Sequence, residues 1–193
     1  MRVVSGIAKG IVLNAPKGMT TRPTTDKAKE GVFSAIQCDT QGARVLDVFA
    51  GSGSMGIEAL SRGASSCVFV DADVNAIRCI KENLARTRLE GKVVRRDAIS
   101  FLSSCDGEFD IIFSDPPYNK GFTQKIIPRV EKILAEGGLL LCETDDSEPR
   151  PEPTGNLLKR KEYTYGRVII TLFEKIKNEG NDTHENSSVS GQL

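Results

Sequence analysis

Histidine is almost absent. The one copy, His184, lies in NEGNDTHENSSVSGQL, residues 178–193, so a catalytic scheme built on imidazole is set aside. That stretch is polar and cannot bury enough surface to offset its own ordering, so it is expected to be disordered. No run reaches the roughly 18 apolar residues of a membrane span. The start, MRVVSGIAKG, has no apolar signal-peptide core, and the expectation is a cytosolic protein. Cys38, Cys67, Cys79, Cys105 and Cys142 are odd in number and never spaced as CxxC. All five read as reduced, and neither a disulfide framework nor a metal site is expected. Internal repeats are also missing. What remains is 39% hydrophobic and 27% charged over 193 residues, which fits one soluble domain of ordinary size with a small extension.

The net charge of zero hides an uneven layout. Residues 1–35 hold Arg2, Lys9, Lys17, Arg22, Lys27 and Lys29 against Asp26 and Glu30, and residues 78–96 add Arg78, Arg86, Arg88, Arg95 and Arg96. From Asn178 onward there is no Lys or Arg. Local basic patches let a neutral protein hold a polyanion by one face. Solvated helix faces explain the same residues equally well.

From Arg44 to Thr144 short apolar runs alternate with helical stretches. RVLDVF, SSCVFVD, KVVRRD, EFDIIF and LLLCE read as strands. IEALSRG reads as a helix, as does the stretch from Asp73, a capping residue, to about Arg86, with Ala76, Ile77, Ile80 and Leu84 on one face. Phe122 to Ala135 reads as a third helix, started or kinked by Pro128 and broken by Gly137-Gly138. This alternation implies βαβ units and a mostly parallel α/β sheet, which an antiparallel hairpin, LLKRKEY and RVIITLFE joined by Thr164 to Gly166, closes as strands six and seven. Before it, RVVSGI and IVLNA suggest a small hairpin across Ala8 to Gly10. Thr25 can cap a helix with an Ala28, Val32, Phe33, Ile36 stripe. The expected organisation is a basic hairpin-and-helix extension over 1–40, a catalytic domain over 41–175 and a polar tail over 176–193.

Gly51-Ser52-Gly53-Ser54-Met55-Gly56 fits GxGxxG, follows a strand and opens a helix. Asp71, 20 residues after Gly51, ends the next strand. That is a cofactor cradle: glycines admit the ligand and the acid accepts from ribose hydroxyls, with Asp73 as the alternative acid. Asp47, just before the loop in LDVFAG, suits a cationic ligand group better than a pyrophosphate. The cofactor with an ammonium, a sulfonium and no phosphate is S-adenosylmethionine. Asp97, beside Ala98, follows the third strand and can accept the adenine amine hydrogens, although a helix-capping Asp fits there too.

FSDPPYNKG, residues 113–121, supplies the partner feature. Pro116-Pro117 stiffens a corner and leaves carbonyls as acceptors. Asp115 offers a carboxylate, and Tyr118 a ring worth about 1–3 kcal/mol in base stacking. Together they match an exocyclic amine on a nucleobase. Asp115 and the Pro116 carbonyl hold its hydrogens, and catalysis rests on positioning and electrostatics. Ligands of open α/β sheets sit beyond the carboxyl ends of the strands, so Asp47, Asp71, Asp97 and Asp115 should meet in one crevice. The base must be unpaired or flipped out to enter.

Four stretches carry a more specific likeness: RVVSGIAKG, RPTTDKAKEGVF, LDVFAGSGSMGIEALSRGA and FSDPPY. In them the chain resembles the bacterial 16S ribosomal RNA guanine-N2 methyltransferase family over about residues 1–175. The resemblance implies a Rossmann-like fold for S-adenosylmethionine with a mostly parallel seven-stranded sheet, and transfer of a methyl group to a guanine N2. It implies cofactor contact from Asp47, Phe49, Ala50, Gly51, Ser52 and Gly53, from Asp71 and Ala72, and from Asp97 and Ala98. Asp115, Pro116, Pro117 and Tyr118 hold the guanine, and Arg22, Thr24, Thr25 and Asp26 border the substrate. The expected partner is 16S rRNA or a 30S assembly intermediate, met by a monomer. The open alternatives are a DNA adenine-N6 or cytosine-N4 methyltransferase, and a non-catalytic ribosome-assembly factor.

Overall fold

The apolar runs become a seven-stranded sheet in a computed structural model that describes residues 1–16, 26–117 and 121–176. In chain order the elements are α1 (Asp26–Ala35), α2 (Gln37–Thr40), β1 (Arg44–Val48), α3 (Ser54–Ser61), β2 (Ser66–Asp71), α4 (Val74–Thr87), β3 (Lys92–Arg95), α5 (Ala98–Ser103), β4 (Phe109–Ser114), α6 (Phe122–Ile133), β5 (Leu134–Asp145), β6 (Leu157–Tyr165) and β7 (Val168–Lys175). The sheet order is β3-β2-β1-β4-β5-β7-β6. The first five strands are parallel, and β7 runs antiparallel between β5 and β6. Chain order reverses between β1 and β4, the place where α/β sheets open a ligand crevice at their carboxyl edge.

Register puts Val45, Ile111 and Leu139 on one face, and Leu46, Ile112 and Leu140 on the other. Ile57 and Leu60 of α3 and Ile80 and Leu84 of α4 pack on the first face. Ile126, Ile127, Val130 and Ile133 of α6 and Leu102 of α5 pack on the second. The helix α4 starts as its sequence indicates: the Asp73 side chain accepts from the Asn75 N–H at 2.8 Å. β6 is one of the two outer strands. It is mostly exposed, is rich in Lys, Arg and Glu, and slips register between Lys159 and Lys161.

Two local expectations are corrected. Pro128 does not start α6, which begins at Phe122 and runs through it. The ring sits on the exposed face, where the carbonyl it frees meets water, while the apolar face holds the helix to the sheet. Gly137-Gly138 does not end that helix. Leu134 already has extended geometry, and the pair instead occupies the register shift between β5 and β4. The N-terminal hairpin forms as expected around the bridge Arg2–Val12: the Val3 N–H donates to the Ile11 carbonyl at 2.9 Å, the Leu13 N–H to the Met1 carbonyl at 3.0 Å and the Gly10 N–H to the Val3 carbonyl at 2.8 Å. Its chain winds around α3: the Ile7 N–H reaches the Ser61 carbonyl at 2.8 Å. Val3, Ala8 and Leu13 then share a core with Val32, Phe33, Ile36 and the sheet.

That contact is sealed by charge. Glu58 of α3 is fully buried, with Lys29 of α1 fully buried 3.3 Å away and Arg62 at 2.8 Å. The Val4 and Ser5 N–H groups donate to its two oxygens at 2.8 and 2.9 Å, and Lys29 Nζ donates to the Arg2 carbonyl at 2.5 Å. Burial lowers the Lys29 pKa, and the nearby Glu58 opposes that shift. Among the described residues no helix is long and apolar enough to cross a membrane.

Candidate active site

The glycine loop is built from the end of β1 upward. Phe49 adopts φ 60°, a conformation that costs a non-glycine residue roughly 1–2 kcal/mol. Its ring packs against Phe122 at 5.5 Å between centroids. Gly51 and Gly53 also have positive φ, and the Gly53 N–H closes the turn on the Ala50 carbonyl at 2.7 Å. A Cβ on Gly56 would lie 2.4 Å from the Phe69 ring and 2.6 Å from the Cys67 sulfur, so only glycine lets α3 lie this close to β2. These are the three roles a GxGxxG loop requires.

Asp71 holds the loop against β2. Its Oδ2 accepts from the Gly51 N–H and its Oδ1 from the Asp73 N–H, both at 2.9 Å. A carboxylate has about four acceptor positions, so capacity remains for two hydroxyls. Asp47 is buried, and its Oδ2 accepts from the Gly56 N–H at 2.9 Å, in the first turn of α3. Desolvation pushes its pKa up to about 7, with the charge of Asp71 adding to the shift and the Gly56 hydrogen bond opposing it. Asp97 is exposed and caps α5, accepting from the Ser100 N–H at 2.9 Å, while Ala98 behind it is buried. Ala72 is exposed, and its carbonyl accepts from Arg95 Nε at 3.4 Å.

The Asp115 corner opens at the same edge. Its N–H reaches the Val48 carbonyl at 3.5 Å, which ties β4 to the end of β1. Pro116 is buried and Pro117 exposed. Asp115 follows β4 directly and keeps solvent-exposed surface, while the protein atoms packed around its carboxyl desolvate it. Its pKa is pushed well above the usual carboxylate range, first by desolvation and then by Glu143, Asp47 and Glu148. Asp47 thus lies within electrostatic reach of both Asp71 and Asp115. The cradle and the corner stand side by side, just past the paired ends of β1 and β4. Tyr118, Arg22, Thr24 and Thr25 fall outside the described residues. Asp26 opens α1 and pairs with Arg2 at 3.3 Å.

Two residues that the sequence reading passed over belong here. Asn83, fully buried on α4, donates to the Ser52 carbonyl at 2.9 Å and the Asn14 carbonyl at 3.0 Å, supporting the loop from below. Its position on the buried side of α4 was the available signal. Glu143 ends the apolar part of β5 one step past the Ser114–Cys142 pair, beside Asp115. The rule of acids at parallel strand ends, applied to LLLCE, reaches it.

The family model described as conserved hypothetical protein 95 matches residues 1–174. A Bacillus subtilis protein named "Putative rRNA methyltransferase YlbH" is 41% identical, over 91% of this chain and 99% of its own length. The Escherichia coli K12 protein named ribosomal RNA small subunit methyltransferase D is 31% identical, over 91% of this chain and 90% of its own. A solved Escherichia coli structure, described as "Putative methyltransferase yhhF", superposes with a TM-score of 0.83 at 31% identity, covering 91% of this chain and 98% of that one. With a match that runs from the first residue to the last strand, this chain belongs to the conserved hypothetical protein 95 family, the family of the small-subunit rRNA methyltransferase D proteins.

Proposed function

We propose that the protein transfers a methyl group from S-adenosylmethionine to the exocyclic N2 of a guanine in 16S rRNA. The observation that carries this is adjacency: the glycine loop follows β1 and the Asp115-Pro116-Pro117 corner follows β4, at the neighbouring carboxyl ends of two paired strands, with Asp47 within electrostatic reach of both Asp71 and Asp115. The relatives named as rRNA methyltransferases support the substrate class.

The residues fit this cofactor better than a dinucleotide. Asp47 takes the Gly56 N–H in the first turn of α3, where a pyrophosphate would otherwise bind. A buried carboxylate there repels phosphate and attracts an ammonium. Asp71 has acceptor capacity for ribose hydroxyls, and Asp97 and Ala98 stand where the adenine would lie. S-adenosylmethionine supplies a methyl on a sulfonium, which leaves as a neutral thioether once an amine nitrogen takes the carbon. Asp115 and the Pro116 carbonyl accept the amine hydrogens and turn the nitrogen lone pair out of conjugation. The proton shed afterwards passes to solvent on the exposed side of Asp115. Tyr118 adds the stacking ring in this reading, and the segment with Arg22, Thr24, Thr25 and Asp26 borders the RNA.

The test is incubation with methyl-labelled S-adenosylmethionine and, separately, naked 16S rRNA, 30S particles and duplex DNA. Label in rRNA or 30S particles, released by digestion as N2-methylguanosine, is expected. Label confined to DNA, or on another atom of the base, overturns the reading. Asp71→Ala should weaken S-adenosylmethionine about 10- to 100-fold in calorimetry, the loss of hydrogen bonds to a charged acceptor. Unchanged affinity would remove Asp71 from the ribose site.

A further inference from the structure

The two margins of the sheet use their cations differently. At the β6–β7 margin, Arg150 and Lys159 pair with Glu162 at 3.5 and 2.8 Å, and Arg160 pairs with Glu174 at 2.6 Å. Arg167 there binds Asp145 and Asp146 at 2.8 and 3.1 Å. In the N-terminal extension, Arg2 and Lys29 are engaged by Asp26 and Glu58. The opposite margin is different. Residues 74–96, which form α4 and β3, carry Arg78, Lys81, Arg86, Arg88, Lys92, Arg95 and Arg96 against only Glu82 and Glu90. All seven cations are exposed, and none makes an ion pair among the described residues.

Their arrangement follows from the βαβ path. α4 descends from the carboxyl edge over about 21 Å, at 1.5 Å per residue, and β3 climbs back to it. The strip therefore runs from Arg78 down to Arg88 and Lys92 and returns to Arg95 and Arg96. Its upper end adjoins the crevice: the Arg96 N–H donates to the Asp71 carbonyl at 3.0 Å, and Arg95 Nε to the Ala72 carbonyl at 3.4 Å. Exposed cations without a carboxylate partner are free to neutralise phosphates and release their counterions.

We propose that the α4–β3 margin holds the phosphate backbone of the RNA substrate and leads it over Arg95 and Arg96 into the crevice. The identity of the polyanion as RNA rests on the methyltransferase reading; the margin's affinity for a phosphate backbone does not. One residue lets the charge be removed without loading the fold. Arg88 caps α4 at φ 58°, in the left-handed region that glycine enters freely.

The test compares wild type with Arg78→Gln/Arg86→Gln/Arg88→Gly, and with a control from the other margin, Lys159→Gln/Arg160→Gln/Arg167→Gln. Binding of 16S rRNA and of 30S particles is measured by filter retention from 50 to 200 mM salt, alongside thermal unfolding and methyl transfer. The α4 variant should melt like wild type and bind RNA at least about tenfold more weakly, with a log–log salt slope smaller by about three, one per cation. Its KM for RNA should rise while kcat and S-adenosylmethionine affinity hold. The control should keep the wild-type slope. An α4 variant with wild-type affinity and slope overturns the proposal, as does an equal loss in both variants or a wild type that binds no RNA. Patch-dependent RNA binding without methyl transfer would uphold the margin and sink the catalytic reading instead.

Discussion

Asp115→Ala should lower kcat for methyl transfer by about 10³-fold, while S-adenosylmethionine binds within a few-fold of wild type. Removing one preorganised polar group from a transition-state site costs about 10²–10³-fold. Asp115 loses more than that range's lower end because it also orients the nucleophile. Cofactor binding is spared because Asp71, Asp47 and the glycine loop are held by their own hydrogen bonds, none of which involves the Asp115 side chain. Collapse of cofactor affinity in this variant would show that the crevice is divided differently.

The same carboxyl sets a pH dependence. Burial among strand ends, then Glu143, Asp47 and Glu148, raise its pKa, so the folded protein keeps this proton to higher pH than a free aspartate does. Only the ionised form accepts both amine hydrogens well. kcat/KM should therefore rise with pH through the raised pKa, and Glu143→Gln, which removes a negative neighbour, should move that limb to lower pH. Stability follows the opposite sign. A proton held more tightly by the folded state stabilises it below the ordinary aspartate pKa, and the benefit is lost as pH climbs through the raised one. An acid limb that Glu143→Gln leaves in place would detach it from Asp115.

Glu58→Leu should be the most damaging substitution away from the crevice. It leaves Lys29 charged and fully buried, and it strands the Val4 and Ser5 N–H groups. Breaking a buried pair from one side costs about 3–5 kcal/mol. In a chain of this size that is about 10 °C in melting temperature. Lys29→Met should cost less, because Glu58 keeps Arg62 and two backbone donors. The double variant Lys29→Met/Glu58→Leu should recover part of the loss, since an apolar pair needs no partner. Scanning calorimetry on the three variants decides it: Lys29→Met melting below Glu58→Leu would contradict this ordering of donors.

β1, β2, β4, β7 and the LLLCE part of β5 were legible because each is an apolar run too short for a helix and flanked by breakers. The placement of Asp47, Asp71 and Asp115 at or next to the carboxyl ends of β1, β2 and β4 was legible because each closes a short apolar run. Lys29 and Glu58 were not. Each is a polar residue on a helix, and only the way α1 and α3 pack decides that its side chain faces inward. For the converse reason Pro128 does not open α6: its propensity is local, whereas the apolar face that overrides it acts through the sheet. The opening hairpin was legible from two apolar runs across a glycine turn, and those runs pair with each other as well as with α3 and the core.

The two outer strands have a consequence for how copies of this chain meet. β3 is only four residues long, and β6 is studded with charge and interrupted by its slip at Lys159 and Lys161. Neither rim presents the long flat template that a foreign strand needs to add on. Crowded solutions of the folded protein are thus guarded against growing sheet upon sheet into fibres, and that guard is set by side chains remote from the chemistry.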